Sequence, residues 1–101
     1  MYLHSYQNSL SELCQQYRVK TLYAFGSVLT ERFGTDSDVD LIVEFDKQAI
    51  DDYFLNYFDF KYSLEDVFKR KVDLLEGQAI RNPVLRRTIE RNKQLIYGRE
   101  N

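Results

Sequence analysis

The chain has 101 residues and a formal net charge of −2, with 44% hydrophobic and 30% charged residues. This is the balance of a globular protein, and the length predicts one domain over residues 1–101. The slight acidic excess argues against a nucleic-acid-coating surface, so we expect no direct nucleic-acid partner. A single cysteine, Cys14, excludes an internal disulfide. No signal-peptide pattern and no run of roughly 20 apolar residues is found, so we expect a cytoplasmic protein without a membrane partner.

The first half of the chain predicts a helix, a strand, a short helix and a second strand. Residues 5–17 carry apolar side chains at helical spacing, and residues 21–25 form a short apolar run that Gly26 stops. Residues 27–32 are expected to form the short helix, with Gly34 as its left-handed cap. Residues 39–45 alternate and predict the second strand. The connection is too short for a crossover helix, so the two strands are expected to be antiparallel.

The second half predicts two longer helices that alternate with strands. Asp51 or Asp52 is a suitable N-cap for a helix reaching about residue 69, whose aromatic residues cover more than one face. Residues 72–75 predict a third strand, and Asn82-Pro83 marks the start of a helix reaching about residue 91. Residues 94–97 predict a last strand. This order indicates an α/β or α+β fold with a mixed sheet of about four strands flanked by helices.

Two carboxylates open the second predicted strand. Asp38 and Asp40 stand two residues apart, so both side chains leave one face with Cα atoms ~6.5 Å apart. Carboxylates this close repel, and one pKa rises unless a cation lies between them. Mg²⁺ takes oxygen ligands and keeps positions for water and phosphate, so the pair predicts a divalent-metal site. Asp73 joins this site if its strand neighbours the second; otherwise it is an exposed strand residue.

A Gly-Ser pair stands where the first strand ends. Backbone N–H groups at a helix start are unpaired and hold phosphate oxygens, while Gly26 lets the backbone approach closely and Ser27 adds a hydroxyl. Taken alone, the Gly-Ser pair and the Asp-x-Asp pair are each more often a turn or a cap. Their combination within one strand context favours a single site for a nucleoside triphosphate and a metal.

Gly26-Ser27, ten residues and then Asp38-Val39-Asp40 resemble the signature of the polymerase-β-type nucleotidyltransferase superfamily. The short length and the segments SDVDLIVEF (37–45) and KRKVDLLE (69–76) resemble its minimal nucleotidyltransferase (MNT) branch, and the likeness runs from residue 21 to residue 97. The resemblance implies the nucleotidyltransferase fold. It also implies transfer of a nucleoside monophosphate to an acceptor with release of pyrophosphate.

Residue by residue, the resemblance implies that Asp38, Asp40 and Asp73 are the catalytic carboxylates and bind Mg²⁺, with two ions expected. It implies that Gly26 and Ser27 contact the triphosphate of ATP. Arg32 falls where relatives often carry an arginine and would offset phosphate charge, but a solvent-facing salt bridge with Asp36 or Glu31 explains it equally well. Residues 28–30 are bulkier than the small or basic residues typical of that turn.

Many MNT proteins are encoded beside a HEPN-domain ribonuclease toxin and neutralise it as antitoxins, in studied members by adding AMP to a toxin tyrosine. The resemblance therefore implies a protein adenylyltransferase with a HEPN partner. Two alternatives stay open. One is an antitoxin that acts by complex formation without catalysis, and the other is a nucleotidyltransferase for a small molecule such as an antibiotic.

Overall fold

The computed structural model describes residues 1–99, which form three α-helices and four β-strands. In chain order these are α1 (Gln7–Gln16), β1 (Val19–Phe25), β2 (Val39–Phe45), α2 (Tyr53–Phe68), β3 (Val72–Glu76), α3 (Pro83–Asn92) and β4 (Gln94–Tyr97). Short 3₁₀ segments occupy Tyr2–Tyr6, Gly26–Leu29, Lys47–Ala49 and Gly77–Ala79. No helix within residues 1–99 is long and apolar enough to cross a membrane.

The four strands form one mixed sheet in the order β3-β2-β1-β4. β1 pairs antiparallel with β2 and with β4, while β2 pairs parallel with β3. The predicted fold class and the antiparallel pairing of the first two strands are confirmed. Because of these directions, the carboxyl end of β1 meets the amino ends of β2 and β3 at one end of the sheet. Gly26, Asp38 and Asp73 all belong to this end.

The helix boundaries follow from their caps. Asp52 accepts a hydrogen bond from the Leu55 N–H at 3.1 Å, and α2 ends at Lys69, whose φ of 56° is left-handed. Asn82 accepts from the N–H groups of the second and third residues of α3 at 2.9 and 3.1 Å, and Pro83 occupies the first position. The predicted caps at Asp52 and Asn82 are therefore confirmed.

The segment after β1 differs from the prediction. A helix over residues 27–32 capped by Gly34 was expected, but the observed 3₁₀ turn covers Gly26–Leu29. It ends at Thr30, whose backbone is extended with φ −125° and ψ 167° and whose N–H and hydroxyl both donate to the Ser27 carbonyl at 2.9 Å. The left-handed glycine stands at the start of the turn, at Gly26 with φ +75°, and not at Gly34. The cap assignment of Gly34 was wrong because the backbone becomes extended at Thr30, before the glycine is reached.

The main core lies between one face of the sheet and helices α1 and α2. The strands contribute alternate residues and the helices contribute their apolar stripes: Leu22, Ala24, Val39, Leu41, Val43, Phe45, Val72 and Leu74 meet Leu10, Cys14, Phe60, Leu64 and Phe68. The predicted alternation of β2 is confirmed, because Val39, Leu41, Val43 and Phe45 all belong to this core. Asp40 and Glu44 consequently face the other side of the sheet.

The outer edge of β3 is closed by side chains of α2. The Tyr57 hydroxyl donates to the Leu74 carbonyl at 2.5 Å, and the Val72 N–H donates to the Glu65 carboxylate at 3.0 Å. Backbone groups on an edge strand otherwise invite pairing with another chain. These two contacts oppose strand addition next to Asp73.

Candidate active site

Asp40 lies at the centre of the polar end of the sheet. Its antiparallel neighbour in β1 is Phe25, and its parallel neighbour in β3 is Asp73. Residues in register on adjacent strands point to the same face, so the two carboxylates lie side by side on the face away from the main core. Asp73 is exposed and Asp40 is half-buried. The condition under which Asp73 was predicted to join Asp38 and Asp40, a third strand beside the second, is met.

Asp38 stands in the loop immediately before β2 and is exposed. Burial raises the pKa of the Asp40 carboxyl above its ordinary value, and the charges of Asp73 and Asp38 raise this pKa further. Asp73 and Asp38 are thus close enough to disfavour the ionisation of Asp40. A cation placed among them would relieve that repulsion.

Gly26 brings the turn after β1 directly against Asp40. A Cβ atom at residue 26 would overlap Asp40 Oδ2 and lie 3.3 Å from its Cγ. The backbone of Gly26 has a φ of +75°, which residues that carry a Cβ atom rarely adopt. Close approach and backbone conformation therefore both require glycine here, and the Gly-Ser pair and the Asp-x-Asp pair meet in space.

An open pocket of about 740 Å³ lies beside this junction, between the turn and α3. The turn side contains the predicted phosphate contacts Gly26 and Ser27, together with Arg32. The helix side contains Leu85, Thr88, Ile89 and Asn92, and Gln94 follows at the start of β4. The volume of this pocket falls in the range of small-molecule sites, and its lining combines apolar and polar residues.

The α3 residues of this pocket were missed by the sequence predictions. Leu85, Thr88 and Asn92 recur at the i, i+3, i+7 spacing of one helix face. Leu85 is 47% exposed although it is apolar. Apolar residues left exposed on a helix that also carries three arginines were the available signal.

Arg32 lines the pocket without an ion-pair partner. Neither Asp36 nor Glu31 forms a salt bridge with it among residues 1–99. Its N–H donates to the Thr30 hydroxyl at 3.2 Å, which orders the backbone at the pocket rim. The guanidinium is therefore available to an anionic ligand.

The carboxylates suit a metal ion that takes only some of its ligands from the protein. Within residues 1–99, no three acidic, histidine or cysteine side chains form a ready-made metal cage. Mg²⁺ does not require one, because it is usually held by one or two carboxylates while water and substrate phosphates fill the remaining positions. The oxygen-only donor set and the mutual repulsion at Asp40 suit such an ion.

Comparison with known proteins places this geometry in a family. Residues 8–101 match the family described as polymerase beta, nucleotidyltransferase. A candidate protein adenylyltransferase of Methanocaldococcus jannaschii is 38% identical over 85 residues, which cover 84% of this chain and 82% of that protein.

Three solved structures with the same fold are a minimal nucleotidyltransferase and two toxin–antitoxin structures. A candidate minimal nucleotidyltransferase has a TM-score of 0.75 at 26% identity, over 92% of this chain and 91% of that one. A toxin–antitoxin complex with AMP-PNP has a TM-score of 0.72 at 19% identity, over 93% and 74%. A chain from the complex of a tri-AMPylated Shewanella oneidensis HEPN toxin with an MNT antitoxin has a TM-score of 0.66 at 17% identity, over 95% of this chain and 72% of that one. The chain therefore belongs to the polymerase beta nucleotidyltransferase family and is a nucleotidyltransferase.

Proposed function

We propose that this protein is a Mg²⁺-dependent protein adenylyltransferase that moves AMP from ATP to a hydroxyl of a partner protein. In this proposal the partner is a HEPN ribonuclease toxin, the acceptor is a tyrosine and the protein is its antitoxin. One observation carries the proposal: Gly26, Asp40 and Asp73 meet at one end of the sheet, beside a pocket lined by Ser27 and Arg32. A single 101-residue domain then supplies the nucleotide site, and the partner supplies the acceptor.

ATP lies in the pocket between the turn and α3. Its phosphates lie at Gly26 and Ser27, where the backbone is closest to Asp40, and the Arg32 guanidinium offsets part of their charge. The base and ribose lie toward Leu85, Thr88 and Asn92, since these residues form the opposite wall. Binding of AMP-PNP by a structural neighbour supports a nucleotide in this fold.

Asp38, Asp40 and Asp73 hold Mg²⁺ in this proposal, with two ions expected. When bound, such ions neutralise phosphate charge and stabilise both the attacking and the leaving oxygen of an in-line displacement. The carboxylates place that charge at the end of the sheet where the triphosphate meets Gly26. The raised pKa of Asp40 then returns toward its ordinary range, because a cation favours the ionised form.

The reaction forms one phosphorus–oxygen bond and breaks another. The acceptor hydroxyl oxygen attacks the α-phosphorus, the bond from that phosphorus to the bridging oxygen breaks, and pyrophosphate leaves. Asp73 takes the hydroxyl proton, because it is exposed on the open face and lies beside Asp40. Positioning and charge stabilisation supply most of the rate in such transfers.

The names of similar proteins support a protein acceptor. Matched relatives from Methanocaldococcus jannaschii are candidate protein adenylyltransferases, and the Shewanella oneidensis MNT antitoxin was crystallised with an AMPylated HEPN toxin. A free hydroxyl of a partner enters from the face of the sheet, since α2 closes the edge of β3.

The test is transfer of label from [α-³²P]ATP with Mg²⁺ to the HEPN protein encoded nearest to this chain in its genome. The wild-type chain is compared with Asp40→Asn and with Asp36→Asn, a matched exposed aspartate of the preceding loop. We expect label on the partner with wild type and with Asp36→Asn, and none with Asp40→Asn. Mass spectrometry then locates AMP on a tyrosine.

Two results would redirect the assignment. If Asp40→Asn still suppresses toxicity and label never reaches the partner, the protein is a binding antitoxin and not a catalytic one. If a small hydroxylated molecule such as an aminoglycoside is labelled while the partner is not, the acceptor class is wrong.

A further inference from the structure

We propose that Arg70 is a positioning residue whose side chain holds the backbone before Asp38, while the carbonyl of the adjacent Lys71 holds the backbone after it. It belongs to the three-residue connection between α2 and β3, and it is half-buried. The inference rests on the proposed role of Asp38 in binding the metal and nucleotide. It assigns a function to the basic run at residues 69–71, which stands just before Asp73.

The guanidinium of Arg70 holds the loop that leads to Asp38. Its Nη1 lies 2.9 Å from the Gly34 carbonyl oxygen and 2.8 Å from the Ser37 carbonyl oxygen, and it donates to both. The same loop is closed internally, because the Ser37 N–H donates to the Gly34 carbonyl and the Gly34 N–H donates to the Ser37 hydroxyl. Arg70 therefore holds a closed turn at its two ends.

Aromatic rings hold the guanidinium itself in place. Its central carbon lies 4.9 Å from the centroid of the Tyr2 ring and 4.4 Å from that of the Phe33 ring. The two rings contact each other at 4.9 Å, and Tyr2 also packs on Phe68 at the end of α2. Among the ion pairs within residues 1–99, none involves Arg70. Its charge is directed at carbonyl oxygens and ring faces, an arrangement that suits arginine better than lysine.

The connection holds both peptide groups that flank Asp38. The Ser37 carbonyl belongs to the peptide group before Asp38, and Arg70 holds it at 2.8 Å. The Val39 N–H belongs to the peptide group after Asp38, and it donates to the Lys71 carbonyl at 3.0 Å. With both peptide groups restrained, the φ and ψ of Asp38 are restrained, and so is the direction of its Cα–Cβ bond.

This arrangement explains how an exposed carboxylate in a loop stays aligned with two carboxylates in a sheet. Asp40 and Asp73 are aligned by strand register, whereas Asp38 precedes β2. Residues 70 and 71 directly precede β3 and hydrogen-bond to Ser37 and Val39. They therefore hold Asp38 in a defined position relative to Asp73. Loss of Arg70 should therefore loosen Asp38 without removing any carboxylate.

The experiment measures Mn²⁺ binding in the presence of AMP-PNP by electron paramagnetic resonance, so no turnover is needed. The variants are Arg70→Ala, Arg70→Lys and the matched control Lys69→Ala, whose ammonium is exposed and pairs with Asp66. We expect Arg70→Ala to weaken Mn²⁺ binding about 10- to 100-fold, the usual effect of removing a group that orients a metal ligand. Arg70→Lys should lie between wild type and Arg70→Ala, because it keeps a donor and loses the flat guanidinium that packs on the Tyr2 and Phe33 rings. Lys69→Ala should match wild type.

Hydrogen exchange and a carboxylate variant separate this inference from the proposed function. In Arg70→Ala the Ser37 amide, which donates to the Gly34 carbonyl that Arg70 also contacts, should exchange faster than in Lys69→Ala while circular dichroism remains native. Equal Mn²⁺ affinity, or equal Ser37 exchange, in Arg70→Ala and Lys69→Ala would overturn the role of Arg70. If Asp38→Ala binds Mn²⁺ as wild type does, the metal role of Asp38 is wrong, and the exchange data still decide whether Arg70 holds the loop.

Discussion

One face of the four-stranded sheet lies under α1 and α2, whereas on the opposite face α3 and the segment 77–80 border an open pocket over β1 and β2. On the first face, α2 buries Phe60, Leu64 and Phe68, and the strands contribute a continuous apolar layer. On the second face, α3 buries only Ile89, and Asp40 and Asp73 stand where an apolar layer would continue. The main core and the candidate site therefore lie on opposite faces of the same strands.

The difference follows from alternation along the strands. In β2, Leu41 and Val43 point toward the closed face while Asp40 points toward the open one. A strand can thus build the core and the site with neighbouring residues. The carboxylates stand on the face away from the main core, so they displace none of its packing.

The largest expected effect is on stability, from truncation on the closed face. Phe60 is fully buried in α2, so Phe60→Ala should lower the free energy of unfolding by about 3–5 kcal/mol. Phe54 on the same helix is 73% exposed. Phe54→Ala should therefore change the free energy of unfolding by less than about 0.5 kcal/mol. Urea unfolding of the two variants measures both values. Similar losses for the two phenylalanines would contradict the assignment of the core to this face.

The next effect is on catalysis, from the open face. Asp40→Asn keeps the shape of the side chain and removes its charge, so turnover should fall by about 100-fold or more, the scale of losing one preorganised polar group. Asp36→Asn makes the same change in an exposed loop and should leave turnover unchanged. AMP transfer under saturating ATP measures the difference. Equal turnover in the two variants would remove Asp40 from the catalytic machinery.

The same variant should gain stability in the absence of metal. The pKa of Asp40 is raised in the folded state, so wild type loses stability as the pH rises through this pKa and the group ionises. Asp40→Asn does not ionise, and its melting temperature should exceed that of wild type at pH 7. The gain should shrink toward pH 4, where Asp40 is increasingly protonated. Thermal melts in EDTA at both pH values measure it; a variant less stable than wild type at pH 7 would show that the carboxylate has a stabilising partner.

Much of the contrast between the two faces of the sheet could be predicted, because it depends on local sequence patterns. Alternation placed Asp40 opposite the apolar residues of β2, and the caps Asp52 and Asn82 located two helices within one or two residues. The pairing of β2 with β3 could only be stated as a condition, since no local pattern records which strands become neighbours. The position of Asp73 beside Asp40 therefore had to come from the structure.

Two parts of the site were missed for physical reasons. Leu85, Thr88 and Asn92 line the pocket only because α3 lies opposite the turn after β1, a tertiary relation. Arg70 looked like one cation in a basic run, and its role depends on carbonyl groups more than thirty residues earlier. The wrong cap at Gly34 has a local cause, since Thr30 ends the turn first.

A smaller effect on stability is expected from the glycine that joins turn and carboxylate. Gly26→Ala places a side chain at φ +75° and against Asp40, so it should cost about 1–2 kcal/mol for the left-handed backbone alone. It should also weaken AMP-PNP binding, because the carboxylate must move. Gly34→Ala is the control, since its added Cβ would meet no atom within 4 Å and its φ is not left-handed. Calorimetric titration and urea unfolding check both; a neutral Gly26→Ala would mean that the close approach is unnecessary.

The smallest effect tests whether the two faces respond independently. Asn82→Ala and Asp52→Ala each remove a side-chain cap, from α3 and from α2, and each should cost about 1 kcal/mol of helix stability. Since α3 buries one residue and α2 buries three, the α3 variant should open locally while the α2 variant loses global stability. Asn82→Ala should therefore weaken AMP-PNP binding and speed amide exchange within residues 84–88, with little change in the midpoint of urea unfolding.

Asp52→Ala should lower the midpoint of urea unfolding and leave AMP-PNP affinity intact. If both variants shift the midpoint and the affinity together, the two faces unfold as one unit, and α3 is held by the core more firmly than its single buried residue indicates.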